Sequence, residues 1–234
     1  MRPSSPTRKR LALRLCAGVL LLIVAASVFG AIAVDVAAGG RITAIDEESA
    51  RWLHRYAAPT LTTWMFAVTT LHSTFAVSCY AGVVGLWQAR LRHWRQVTML
   101  AVCVAGGLSL NVVMKLAFQR PRPVFDDPLL TLSTYSFPSG HVAGSTILYG
   151  LLVVWVFERT TLLRWRLPAL TGAALAIALV AFSRVLLGAH YLSDVVAAFA
   201  EGVAWLALCL SMRSAFWPQE PRGKAMPFTA PTRR

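Results

Sequence analysis

Acidic residues are scarce in this 234-residue chain, with 10 Asp and Glu against 23 Lys and Arg, and charged residues of either sign make up only 14% of it. A soluble domain of this length needs more polar surface, so the shortage of charge argues against an ordinary soluble fold. The net charge of +13 could point to nucleic acid only if the basic residues formed a stripe on a soluble face. They instead punctuate apolar runs, and no nucleic-acid partner is expected. Cysteine is sparse as well: Cys16, Cys79, Cys103 and Cys209 all fall inside apolar runs with no Cys-x-x-Cys pairing. They read as small packing residues, and neither a disulfide framework nor a zinc site is implied. No internal repeat or low-complexity segment stands out.

What the chain has in quantity is apolar sequence, 56% hydrophobic with a mean hydropathy of +0.58. Runs of roughly 20 residues, enough to cross a hydrocarbon core of about 30 Å, occur near 12–34, 61–87, 97–118, 139–157, 168–188 and 192–212. The expected fold class is therefore all-α: a polytopic membrane protein of six transmembrane helices. Arg2, Arg8, Lys9, Arg10 and Arg14 precede the first run, and Arg90, Arg92 and Arg95 separate the second from the third. Arg159, Arg164 and Arg166 separate the fourth from the fifth, and Arg213, Arg222, Lys224, Arg233 and Arg234 follow the sixth. The excess of Lys and Arg on cytoplasmic segments then places both termini in the cytoplasm, with 1–11 and 213–234 as tails, in the inner (plasma) membrane. Trp87, Trp94, Trp155, Trp165 and Trp217 mark that boundary as an aromatic belt, and Trp52 and Trp64 mark the opposite one. The first run is read as a retained signal-anchor helix, being longer than the apolar core of a cleaved signal peptide.

In the first outer loop, about 35–60, Ile42, Ile45, Trp52, Leu53 and Tyr56 share one helical face, while Asp46, Glu47, Glu48, Arg51 and Arg55 are polar. An amphipathic helix lying in the interface is expected, with His54 a solvated residue on it.

Four basic residues escape this topology: Lys115, Arg120, Arg122 and Arg184. Ionisable groups near the ends of apolar runs either snorkel to the interface or face a polar cavity. The six-span frame brings Lys115, Arg122, Ser139, His141, Arg184, His190 and Asp194 to one membrane depth on the outer side, although they span 80 positions. His141, His190 and Asp194 could form a facial metal triad, but Lys115, Arg122 and Arg184 would set three fixed cations beside the metal. An oxyanion suits the set better. Arg offers planar donor forks and Lys a point charge for phosphate oxygens. Ser139 adds a hydroxyl, Gly140 an approachable backbone N–H, and the helix starting there a positive dipole end.

Two histidines exceed what binding alone requires. His190 and Asp194 are four apart, so a carboxylate can fix one ring nitrogen and leave the other free to attack phosphorus. His141 has no acidic neighbour in sequence and is placed to protonate the leaving oxygen. Together they suggest a two-step, metal-free phosphoryl transfer through phosphohistidine, with no cofactor.

These residues fall in three strings, "KLAFQRPRP" (Lys115 to Pro123), "PSGH" (Pro138 to His141) and "SRVLLGAHYLSD" (Ser183 to Asp194). The chain thereby resembles the type-2 phosphatidic acid phosphatase superfamily, whose motifs read K-x6-R-P, P-S-G-H and S-R-x5-H-x3-D. The resemblance implies phosphate binding by Lys115, Arg122, Ser139, Gly140 and Arg184. It also implies His141 as acid, His190 as nucleophile and Asp194 as its partner. The motif spacing selects Arg122 over Arg120, leaving Arg120 as a rim charge. Soluble acid phosphatases and vanadium haloperoxidases share the cradle, but six spans and short outer loops argue against both.

The expectation is one integral membrane phosphatase domain over 1–234, with its core motifs at 115–194. It acts on a lipid phosphate or pyrophosphate at the periplasmic or extracellular face. Undecaprenyl pyrophosphate, phosphatidic acid and phosphatidylglycerophosphate all fit. A lipid phosphotransferase of the same superfamily, or a non-enzymatic anion or lipid-phosphate transporter, are the alternatives. The oligomeric state is left open. Glu201, seven after Asp194, is either a functional carboxylate or a paired packing group. His72 and Asn111 read as interhelical hydrogen-bonding residues.

Overall fold

A computed structural model describes residues 6–130 and 132–216. Arg2, Trp217, Arg222, Lys224, Arg233 and Arg234 lie outside them. The described chain is all helical: α1 (Pro6–Ala37), α2 (Arg41–Arg55), α3 (Pro59–Leu71), α4 (Thr74–Arg90), α5 (Trp94–Phe118), α6 (Gly140–Arg159), α7 (Leu163–Leu186) and α8 (Leu192–Phe216). Five of these are long and apolar enough to cross a membrane, and α3 with α4, bent by 46°, passes the same test only as a pair, a broken span or a re-entrant loop. The bend falls at His72 and Ser73. The Ser73 hydroxyl accepts from the Ala76 N–H at 3.1 Å and so starts a new helix. The His72 ring bonds the Val68 carbonyl at 2.9 Å and the Tyr149 hydroxyl of α6 at 2.8 Å, an interhelical link of the kind expected.

Helix α6 is the central post, packed against α4, α5, α7 and α8, while α1 lies along α8. The main apolar cluster joins Val77 and Ala81, Leu100 and Cys103, Ile147, Leu148 and Leu151, and Leu206 and Cys209 from four helices. Trp155 belongs to this cluster at 7% exposure. It is therefore a core residue and not part of the aromatic belt, whereas Trp87, Trp94 and Trp165 are exposed as expected.

Helix α2 is amphipathic as expected, but Asp46 does not lie on its solvated polar face. Asp46 is 1% exposed, and Ala50 is buried beside it, so the acid points inward while Ile45, Trp52 and Tyr56 face outward. The reason is a partner buried in the bundle, described below. His54 is not freely solvated either: its ring stacks on Phe125, centroids 4.0 Å apart.

Candidate active site

The site forms at one end of the bundle, where α5 stops, α6 starts, α7 stops and α8 starts. Its first wall is built by what ends α5. Gln119 turns the chain in the left-handed region (φ 45°) and donates its N–H to the Lys115 carbonyl. Pro121 and Pro123 then hold Arg120 and Arg122 away from helix.

Phe137 anchors the next wall. It is fully buried against Phe29 and Phe118, with centroids at 5.6 and 5.0 Å, burial that contributes roughly 1.5–3 kcal/mol. A cis Phe137–Pro138 peptide leads from this anchor to Ser139. Ser139 donates its backbone N–H to the Asp194 carbonyl at 3.2 Å. No side chain caps the start of α6, so its first N–H groups and its dipole face the site. The Ser139 hydroxyl is buried with no partner among the described residues. Gly140 sits against α5: a side chain there would come within 3.2 Å of the Asn111 amide oxygen.

After α7, Gly188 (φ +68°) turns the chain, and a Cβ there would lie 2.6 Å from the Phe125 ring. Only glycine fits that turn, and the turn delivers His190. Its ring is 2% exposed. Nδ1 lies 3.4 Å from Asp194 Oδ2 and 3.4 Å from the Ser136 hydroxyl, while Nε2 faces Arg122 Nη1 at 3.4 Å. His190 precedes α8 instead of lying in its first turn, but it meets Asp194 as the spacing of four suggests. Burial drives the His190 pKa down to about 3, with Asp194 pulling it up and Arg184 and Arg122 pushing it down. The ring is thus neutral at neutral pH, and the tautomer that suits its partners carries hydrogen on Nδ1 and a lone pair on Nε2.

Of the cations, Arg122 lies against that lone pair. Lys115 Nζ donates to the Tyr135 and Ser136 carbonyls at 2.7 and 3.3 Å. Arg122 spends its donors on the Thr134 carbonyl (2.6 Å), the Thr134 hydroxyl (2.8 Å), the Tyr135 carbonyl (3.1 Å) and the Ala189 carbonyl. Burial lowers the Arg122 pKa, with Asp194 opposing. Arg184 is 3% exposed; its Nη1 donates to the Thr69 hydroxyl of α3, and its Nε has no partner among the described residues. His141 is half-buried and interacts electrostatically with Arg184, His190, Arg122 and Lys115. All eight residues singled out from the sequence therefore converge.

The structure adds residues that the sequence reading placed elsewhere or passed over. Arg120 is not a rim charge. It is 6% exposed and donates to Asp194 Oδ1 at 2.6 Å, Asp46 Oδ2 at 2.8 Å and the Ser193 hydroxyl at 2.8 Å. Burial alone would lower its pKa, but Asp194 and Asp46 outweigh that and hold it above its ordinary value. The Ser136 hydroxyl donates to Asp194 Oδ2 at 2.5 Å, and the Tyr191 N–H donates to the same oxygen at 2.9 Å. For Asp46 a signal existed: it lies within the apolar stripe Ile42, Ala50, Leu53 of α2, a place where an acid needs a buried partner. Below the cradle, Asn111 donates to Glu201 Oε2 at 2.8 Å, so both are interhelical groups.

A metal at His141, His190 and Asp194 does not fit this donor set. Both Asp194 oxygens are already committed to Arg120, Ser136 and Tyr191, and the surrounding charges are cations. An oxyanion does fit, because the buried Ser139 hydroxyl and the Arg184 Nε have no acceptor among the described residues, and no side chain caps the start of α6.

Comparison with known proteins points the same way. The sequence profile of the PAP2 superfamily matches residues 96–218. Phosphatidylglycerophosphatase B of Bacillus subtilis (strain 168) is 32% identical over 114 residues, 48% of this chain. That match spans about half, 55%, of the relative's own length. The crystal structure described as the first transmembrane PAP2 type phosphatidylglycerolphosphate phosphatase, also from Bacillus subtilis, superposes with a TM-score of 0.72 at 25% identity. It covers 82% of this chain and 96% of that one.

Proposed function

The chain belongs to the PAP2 superfamily, and from that membership we propose that it is a metal-independent phosphatase of a lipid phosphate or lipid pyrophosphate. Phosphatidylglycerophosphate leads the candidate substrates, because both similar proteins carry names of phosphatidylglycerophosphate phosphatases. Phosphatidic acid and undecaprenyl pyrophosphate share its terminal phosphoryl group.

The observation that carries the reading is the neutral, buried His190, with Nδ1 toward Asp194 and Nε2 toward the cations. In the first step His190 Nε2 attacks phosphorus, the bond to the leaving oxygen breaks, and His141 gives that oxygen a proton. The ring becomes cationic as the N–P bond forms, so its 3.4 Å contact with Asp194 strengthens when it is needed. In the second step His141 takes a proton from water, the water oxygen attacks phosphorus, and inorganic phosphate leaves His190. Lys115, Arg122 and Arg184 offset charge on the equatorial oxygens, with Ser139 and the Gly140 N–H donating to them.

The domain extends over residues 1–234, in the inner membrane with both termini cytoplasmic. Arg90, Arg92, Arg95, Arg159 and Arg164 are exposed at the end opposite the site, and the bias of Lys and Arg toward the cytoplasm puts the site on the outer face.

The test is phosphate release by purified protein in detergent from a panel of the three lipids, with EDTA present. Release from at least one lipid is expected, and His190→Ala should abolish it while orthovanadate still binds. Inactivity across the panel overturns the enzymatic reading in favour of a transporter. Loss with EDTA overturns metal independence, and turnover by His190→Ala overturns the nucleophile.

A further inference from the structure

The "RPRP" stretch sends its two arginines to opposite sides of one catalytic pair. Arg122 Nη1 reaches the Nε2 edge of His190, and Arg120 Nη1 reaches Asp194 Oδ1 behind it. The proline after each arginine disfavours helix there, and the two side chains part to different partners. Among the described residues the Arg120 guanidinium donates to Ser193, Asp194 and Asp46, none of them a proposed phosphate ligand. Its fork instead bridges Asp194 to Asp46 on α2, and its guanidinium lies 4.2 Å from the centre of the Tyr191 ring. Asp46 is secured in turn by the Ser193 N–H at 2.9 Å and by the Ser193 hydroxyl.

Burying an arginine with two carboxylates is costly, and an apolar trio can often replace such a set without loss of stability. Stability is therefore a weak reason for this arrangement, and geometry is a better one. Asp194 Oδ2 has three suitors: Ser136 at 2.5 Å, Tyr191 N–H at 2.9 Å and His190 at 3.4 Å. With Oδ1 held by Arg120, the carboxylate cannot rotate away from the weakest of the three.

We infer that Arg120, clamped by Asp46, is a positioning residue that holds Asp194 in the orientation His190 needs, and that α2 is thereby part of the site. The inference rests on the proposed roles of His190 and Asp194. It also extends the machinery beyond the segment matched to the superfamily, since Asp46 lies upstream of residue 96.

The full chain in detergent, hydrolysing whichever panel lipid the wild type turns over, supplies the test. Arg120→Met should lower kcat about 100-fold, the scale of a small misplacement of a reacting group. KM and orthovanadate inhibition should stay within about threefold, as expected when an interaction made only in the transition state is lost. Arg120→Lys, which keeps the charge but not the fork, should recover part of that loss. The double variant Arg120→Met with Asp194→Asn should be no slower than Asp194→Asn alone, because both act through one carboxylate.

Wild-type kcat in folded Arg120→Met overturns the inference, as do losses that add in the double variant. A parallel rise of KM and vanadate inhibition constant also overturns it, by making Arg120 a phosphate ligand. If Arg120→Met does not fold, Arg120→Lys and Asp46→Asn decide: kcat must fall in both at unchanged KM, and unchanged kcat in either overturns the proposal. An inactive wild type or an active His190→Ala instead sinks the underlying reading, so the two failures are separable.

Discussion

The two ends of the bundle use the same residue type in opposite ways. At one end Arg90, Arg92, Arg95, Arg159 and Arg164 are exposed, and Arg166 half-buries itself by donating to the Thr160 and Phe157 carbonyls that α6 leaves unpaired. At the other end Arg120 and Arg184 are 6% and 3% exposed, and each has its own acceptor: two carboxylates for the first, a threonine hydroxyl for the second. An exposed cation keeps its hydration wherever it sits, so only its side of the membrane matters. A buried one loses hydration worth several kcal/mol, which must be offset by a partner or by a ligand. The Arg184 Nε is buried with no acceptor among the described residues, as the proposed phosphate site requires.

The comparison predicts unequal responses to one substitution made twice. Arg184→Met should reduce kcat about 100- to 1,000-fold, the usual scale for removing one donor to developing charge, and should weaken orthovanadate inhibition. Arg164→Met, at the other end, should leave both at wild-type values, with a stability change of about 0.5 kcal/mol or less. Rates measured side by side on one lipid would break the comparison if the two variants fell together.

How far this contrast could be read in advance depends on what each residue is paired with. Lys115, Arg122, Ser139, His141, Arg184, His190 and Asp194 were legible because helix length and alternating direction put them at one depth, and no partner had to be known. Arg120 was not. Two residues from Arg122, it has the same local sequence, and only a carboxylate 74 positions away distinguishes a buried clamp from a rim charge. Asp46 was misplaced: it was grouped with the polar residues of α2, although its spacing from Ile42, Ala50 and Leu53 puts it on the inward stripe. Trp155 and the bend at His72 were missed for a related reason. A hydropathy run marks the length of a span but says nothing of which face meets α8 or where a serine recaps the helix.

Acid should act on the site end through His190. Its pKa is about 3 when folded, because of burial, against about 6.5 in an unfolded chain. Between those values the unfolded chain binds the extra proton and the folded one does not, so stability falls as pH drops from about 6.5 toward 3. The expected result is a melting temperature that declines over that window in wild type and declines less in His190→Gln. Parallel curves for the two proteins would show that His190 is not kept neutral by the fold, and would weaken the contrast between a buried site end and a solvated opposite end.

The smallest effect belongs to the pair that most resembles a site contact while lying at the wrong end. Arg213 of α8 donates to both oxygens of Glu158 on α6, using both arms of its fork as Arg120 does but on one carboxylate instead of two, and the two side chains are 18% and 39% exposed. Hydration of the free ions nearly matches the attraction at such a position, so geometry alone should contribute little. A double-mutant cycle of Arg213→Ala and Glu158→Ala, read by thermal unfolding in detergent, should give a coupling of about 1 kcal/mol or less, with turnover unchanged. A coupling of several kcal/mol would mean that the interface there excludes water as well as the core does, and burial would then no longer separate the two ends. A small coupling would show that the fork acquires its importance at Arg120 from the absence of competing water, and not from its shape.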